Sequence, residues 1–269
     1  HIFYSYCTIA LRHKILKDRG KVSMKKKWFI LLSVGILLLS SFTGCSQTDP
    51  KELYQGAVDK MNKLEQVDME MNMNMSMSAL GETMNIVMDS HIQTAAEEFL
   101  MESSVEIPGQ GSAVTNVYYT DGYLYLDTQG QQIKAAASLE DAMSMLDTED
   151  LSIGEDLEIV QELKAETEND VTTLYFTIDG SQMTDFVTDQ TASLQDGESM
   201  EGVTVEEVTG TMKLNRDGYA TELTLDMPFS MTVEGETITV QMTMELIYHN
   251  PGQPVTMSFP DFSSYVEAA

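Results

Sequence analysis

Cysteine, histidine and positive charge are scarce in this chain of 269 residues. Its two cysteines are Cys7 and Cys45. If the chain is cut before Cys45, as argued below, a single thiol remains. No disulfide can then form, and once that thiol is modified none is left for nucleophilic catalysis. Past residue 44 there are two histidines, His91 and His249, one arginine, Arg216, and no tryptophan. His91 falls on the polar side of an alternating segment and His249 in the turn YHNPG. Neither has a partner at a catalytic spacing, so both are expected on the solvent-exposed surface. Among the many carboxylates the sequence singles out no acid/base pair, and the expectation is a protein that is not an enzyme and carries no cofactor. The acidic run DTEDLSIGEDLE, residues 147–158, lacks the ligand order of an EF-hand loop.

Positive charge is scarce where it matters. Residues 1–44 hold eight of the 15 Lys and Arg but one of the 43 Asp and Glu. The remaining 225 residues carry 7 basic and 42 acidic side chains, a formal charge of −35. Such a surface repels nucleic acid and anionic lipid headgroups, so no nucleic-acid partner is expected. It suits solubility in a cation-rich envelope, with diffuse and weak Ca²⁺ binding.

Long apolar runs are also missing, with one exception. Met24 is followed by Lys25, Lys26, Lys27 and then WFILLSVGILLL, a charged start and an apolar stretch of secretory length, too short to span a membrane. Residues 1–23 look unlike a targeting element or a domain and are expected to be translated upstream sequence, with the signal peptide at 24–44. The next residues, SSFTGCSQ, resemble the bacterial lipobox: Thr43, Gly44 and Cys45 match it, and Phe42 stands where leucine is usual. Cys45 is therefore the expected site of lipidation, anchoring the protein to the outer face of the cytoplasmic membrane. Two acyl chains hold where one binds marginally. Residues 45–50 form the lipidated tether, of which 46–50 reach at most about 17 Å.

From residue 51 to 269 a single β-rich domain is predicted. Thr48 or Asp49 can cap a helix with Pro50 in its first turn, and Leu53, Tyr54, Ala57, Val58, Met61 and Leu64 recur on one face over 51–66. From Val67 the period changes to two: Met69, Met71, Met73, Met75 and Met77 face one way, and Asp68, Glu70, Asn72, Asn74 and Ser76 the other. A turn at Leu80-Gly81 leads back through Met84, Ile86, Met88 and Ile92. Strands are expected at 97–107, 112–120 and 122–128, the last two joined at Asp121-Gly122. Ser138 and Asp141 form a capping-box-like pair before a second helix with Leu139, Ala142, Met143 and Leu146. Strands at 157–167 and 171–178 turn at Asn169-Asp170. A third helix follows from Ser181 with Met183, Phe186, Val187 and Leu194, then the loop LQDGESMEG.

The longest sheet region comes last. Leu223, Leu225, Met227, Phe229 and Met231 alternate with polar residues, and Ile238, Val240, Met242, Met244, Leu246 and Tyr248 answer them. A slip of the apolar phase between Val205 and Val208 predicts a bulge at Glu206-Glu207. Ser76–Met88 and Ser230–Met242 align without a gap, which suggests an internal duplication or convergent hairpin patterning. About ten antiparallel strands and three helices are expected, each strand with one clean apolar and one clean polar face, so the sheet is wetted on one side. The fold class is mainly β (α+β): a strongly curved antiparallel sheet or half-barrel with helices over its concave face.

Five methionines in alternation admit three readings. Thioethers favour Cu(I), but residues two apart on a strand are separated by about 6.8 Å, which spreads the sulfurs. A self-filled core is the plain reading, although methionine specifies packing poorly. The third is an adaptable concave lining formed by Met69, Met71, Met73, Met75, Met77, Met84, Met88, Met227, Phe229, Met231, Met242 and Met244.

The lipobox, the opening helix, the Met-rich strand-GET-strand unit, the hairpin YYTDGYLYLD and the closing TVEGETITVQMTMELIYHNPGQPVTMSFP resemble uncharacterised Gram-positive lipoproteins. Their domain is similar to the LolA/LolB lipoprotein carriers and the LppX/LprG lipid-binding lipoproteins, over nearly all of 51–269. The resemblance implies a LolA-like half-barrel over a hydrophobic cavity and non-covalent binding, transfer or sensing of a lipid or other amphiphile. An envelope interaction or sensory module with a self-filled core is the alternative, and a Met-rich Cu(I) protein a lesser one.

Overall fold

The Asp49 carboxylate accepts a hydrogen bond from the backbone N–H of Lys51 at 2.9 Å and so caps helix α1, Pro50–Met61. Pro50 sits where a helix has no use for an amide proton. α1 buries Tyr54 and Ala57 completely. Full burial of a side chain as large as Tyr54 contributes roughly 1.5–3 kcal/mol. The helix ends at the Asn62 cap, a turn short of the expected 51–66, because the two-residue alternation claims the chain from Gln66.

The computed structural model describes residues 49–143, 160–184, 201–233 and 235–268. The leader 1–44, Cys45, the acidic run 147–158, the distal parts of the second and third expected helices with Leu146, Phe186, Val187 and Leu194, and the loop 194–200 lie outside them.

Thirteen strands are found among the described residues, not about ten. The first six form a meander: β1 Gln66–Ala79, β2 Glu82–Ala95, β3 Glu98–Ile107, β4 Gly111–Thr120, β5 Tyr123–Thr128 and β6 Gln131–Ala136. Their hairpins turn where expected at Leu80-Gly81 (φ 54° and 83°) and Asp121-Gly122 (φ 53° and 77°). Two successive left-handed residues match the twist of the flanking strands. β6 was not read from the sequence, since QQIKAA alternates too weakly. Helix α2, Leu139–Met143, follows, with Ser138 and Asp141 joined as a cap at 2.6 and 3.1 Å.

The later strands are β7 Val160–Glu168, β8 Val171–Ile178, β9 Glu201–Val205, β10 Val208–Leu214, β11 Ala220–Val233, β12 Glu236–Tyr248 and β13 Val266–Glu267. Residues 180–184 are helical, where the third helix was expected to start. All strands join one open, curved sheet in the order β13, β6, β5, β4, β3, β2, β1, β12, β11, β10, β8, β7, with β9 also on β11. Every pairing is antiparallel except β6 with β13. The bulge is present: Val205 faces Phe229 while Thr209 faces Asp226, so four steps oppose three. β9 and β10 are thus one bent strand along β11.

The two similar hairpins are neighbours. β1 pairs with β12, placing Ser78 opposite Thr239, so both turns lie at the same end of the sheet. The order β2, β1, β12, β11 relates the copies by a shift of two strand positions.

One face of the sheet holds the main core. Leu174, Phe176, Ile178, Val208, Leu214, Leu225, Met227 and Val240 are buried there, and the Tyr54 ring meets Phe176 edge-on at 5.6 Å. The other face is not uniformly wetted, contrary to expectation. Over β3 to β6 it buries Leu100 and Tyr118, because residues Phe259, Phe262 and Tyr265 of the C-terminal segment pack there. Phe262 stacks on Tyr125 with centroids 3.8 Å apart. Burial, and after it the nearby Glu102 carboxylate, raises the Tyr118 phenol well above its ordinary pKa.

Candidate functional site

Strand pairing turns the methionine row into a two-dimensional patch. Met73 lies between Met88 on β2 and Met244 on β12, and Met75 between Ile86 and Met242, with Met227 beyond Met242 on β11. Met77 lies between Met84 and Val240, and Phe229 follows on β11. Directly paired residues point to the same face with Cα atoms about 4.5–5.5 Å apart, closer than residues two apart on one strand. The register therefore brings lateral neighbours, Met73 with Met88 and Met77 with Met84 among them, nearer to one another than the row along β1 does.

Burial grades across the patch. Met227 is 1% exposed, Met244 3%, Phe229 5%, and Met69, Met71 and Met231 are also buried. Met73, Met75, Met77, Met88 and Met242 are half-buried against this core. Met84 is 39% exposed, and Leu80 at the adjacent turn 82%. The patch is therefore core on β11 and opens toward β2 and the hairpin ends. One polar pair interrupts it: the buried Ser90 hydroxyl beside Met71 donates to Ser103 at 2.9 Å. Burial raises the pKa of Tyr248, the cross-strand neighbour of Met69.

On the opposite face the two histidines come together, which no spacing in the chain foretold. His91 Nε2 lies 2.8 Å from Asp68 Oδ1, and His249 Nε2 lies 3.1 Å from Glu70 Oε1. The rings meet edge to face at 6.5 Å. They are half-buried and paired with carboxylates, not simply solvated as expected. β1 lies between β2, which carries His91, and β12, which His249 follows, and this alone brings the two side chains together. Among the described residues no three His, Cys, Asp or Glu side chains are grouped to hold a metal ion, and no helix is long and apolar enough to cross a membrane.

A family model described as a family of unknown function (DUF6612) matches residues 49–261. No curated protein matches the chain. Among solved structures it is similar to the lipoprotein LprF from Mycobacterium bovis, with 13% identity, 78% of this chain and 96% of that one covered, and a TM-score of 0.40. It is also similar to the lipoprotein LppX from Mycobacterium tuberculosis, with 12% identity, 78% and 100% coverage and a TM-score of 0.39. A third is a domain of a putative outer membrane lipoprotein-sorting protein from Vibrio parahaemolyticus, with 9% identity, 77% and 95% coverage and a TM-score of 0.26.

Proposed function

This chain belongs to the DUF6612 family of unknown function, and we propose that it is an envelope lipoprotein that binds a lipid or other amphiphile without catalysis. Cys45 is its lipidation site, holding it at the outer face of the cytoplasmic membrane. The acyl part of the ligand lies against the half-buried methionines Met73, Met75, Met77, Met88 and Met242. The observation that carries this reading is the burial gradient, from 1% exposure at Met227 to 39% at Met84 on one continuous apolar face. A finished core would not leave its methionines half-open along one side. Each CH₂ withdrawn from water there contributes about 0.8 kcal/mol, and unbranched thioether chains adjust to varied acyl shapes.

The full burial of Met69, Met71, Met227, Met231 and Met244 favours a second reading for part of the predicted wall. Those five side chains serve as core, and a module whose whole face is self-filled would act through its surface alone. Native mass spectrometry of a signal-free Cys45→Ala protein separates the two. A co-purifying lipid supports binding; an empty protein that also takes up no fatty-acid probe overturns it. Copper analysis of the same sample tests Cu(I) at the lateral methionine pairs.

A further inference from the structure

The polar face of β7, β8, β10 and β11 carries a groove of about 330 Å³ that the lipid reading does not use. Two cross-strand rungs build it. Lys164, Tyr175, Thr211 and Thr224 form one, and Thr177, Thr209 and Asp226 the other, with Glu162 beside Thr177 at a register shift of β7. These side chains alternate with the core residues Phe176, Leu225 and Met212, so they point away from the methionine face. Four strands at the usual spacing make each rung about 14 Å long.

We infer that this groove is a binding site for an uncharged oligosaccharide of a few sugar units. Tyr175 is 42% exposed although β8 is paired on both sides, and it offers an aromatic platform to the C–H face of a pyranose ring. Four threonine hydroxyls can each donate or accept, and the carboxylates of Glu162 and Asp226 accept from sugar hydroxyls. Asp226 Oδ1 already takes one such bond, from the Thr243 hydroxyl at 2.7 Å. The same lining disfavours other ligand classes. Among the described residues Lys164 is the one cation in the lining, and it lies 3.3 Å from Glu162, so an anion would find no uncompensated charge there. An acyl chain would strip water from four hydroxyls and two carboxylates without replacing those bonds. A lone aromatic ring gives a cation no cage.

The test is a titration of the full chain, purified in mild detergent with threonine methyls labelled, against maltotetraose, cellotetraose and chitotetraose. Saturable NMR shifts at Thr177, Thr209, Thr211 and Thr224 are expected with at least one of them. The exposed position of Tyr175 lets Tyr175→Ala fold, and it should bind about tenfold more weakly. Asp226→Asn, which preserves shape, should weaken binding in the same direction. No shift with any of the three sugars at millimolar concentration overturns the proposal, as does binding that both variants leave unchanged. Lipid content of the same variants should stay at the wild-type level, so failure of this site and failure of the methionine face give different results.

Discussion

Phe176 lies against Gly210, its direct partner across β8 and β10. A Cβ at Gly210 would stand 2.3 Å from two atoms of the Phe176 ring and 2.9 Å from Leu225. Glycine leaves the slot in which this ring lies, and the ring in turn receives Tyr54 of α1.

Gly210→Ala should therefore destabilise the domain by about 1–3 kcal/mol through overpacking. In a Phe176→Ala background the same change should cost much less, because the closest clash is gone and only the end of the Leu225 side chain has to move. Denaturant midpoints of the four proteins give the coupling directly. Additive effects would refute the assignment of the slot.

The burial gradient predicts unequal truncations. Met227→Ala, fully buried, should cost about 2–5 kcal/mol. Met84→Ala, partly exposed, should stay within about 0.5 kcal/mol of wild type. The half-buried pair Met73→Asn and Met75→Asn, combined, should lose bound lipid in native mass spectra, because a ligand chain would then meet unpaired amides. Lipid retained at the wild-type level would exclude those residues from the ligand surface.

Burial pushes the pKa of Tyr54 up to about 12 from an ordinary 10. A phenol whose folded-state pKa is raised keeps its full stabilising contribution below the unfolded value and loses it as pH climbs through the folded one. Stability should thus fall between pH 10 and about 12, by roughly 2–3 kcal/mol from this group. Tyr54→Phe should make that limb shallower in urea titrations at stepped pH, while Tyr118 and Tyr248, whose phenols are also raised, keep contributing to it. An equally steep decline in the variant would assign it elsewhere.

The C-terminal segment should act as part of the sheet's packing. Tyr265 is buried and meets Tyr125 at 5.4 Å and Phe262 at 5.3 Å. Tyr265→Ala should cost about 3 kcal/mol and speed hydrogen exchange on β5 and β6 while leaving β10 to β12 protected. Uniform loss of protection would contradict a local role.

Cys45→Ala should abolish incorporation of labelled fatty acid and release the protein from membranes. Retention of label would place the anchor at another residue.

Much of the architecture is legible from local chemistry. The methionine row tells which side of β1 is inside, because a strand repeats every two residues. Leu80-Gly81 and Asp121-Gly122 locate hairpins by their need for positive φ, and the phase slip at Glu206-Glu207 locates the bend. β6 and β13 escape, one for weak alternation and the other because two residues carry no period at all. The polar face of β4 and β5 was misread as wetted: Tyr118 and Tyr125 alternate like surface residues, and only distant Phe259, Phe262 and Tyr265 cover them.

By itself the sequence determined the alternation, the turns and thus an inward face rich in methionine. Tertiary structure alone decided that β1 would pair with β12. That single pairing sets Met73 beside Met244, brings His249 to His91, and leaves the two GET hairpins side by side. The reason is physical. Local periods report what a residue does against water, whereas the choice of a partner strand so far along the chain, Met69 against Tyr248, follows from burying a whole sheet at once. Where that face is covered, its methionines are core; where it stays open, they are left half-buried.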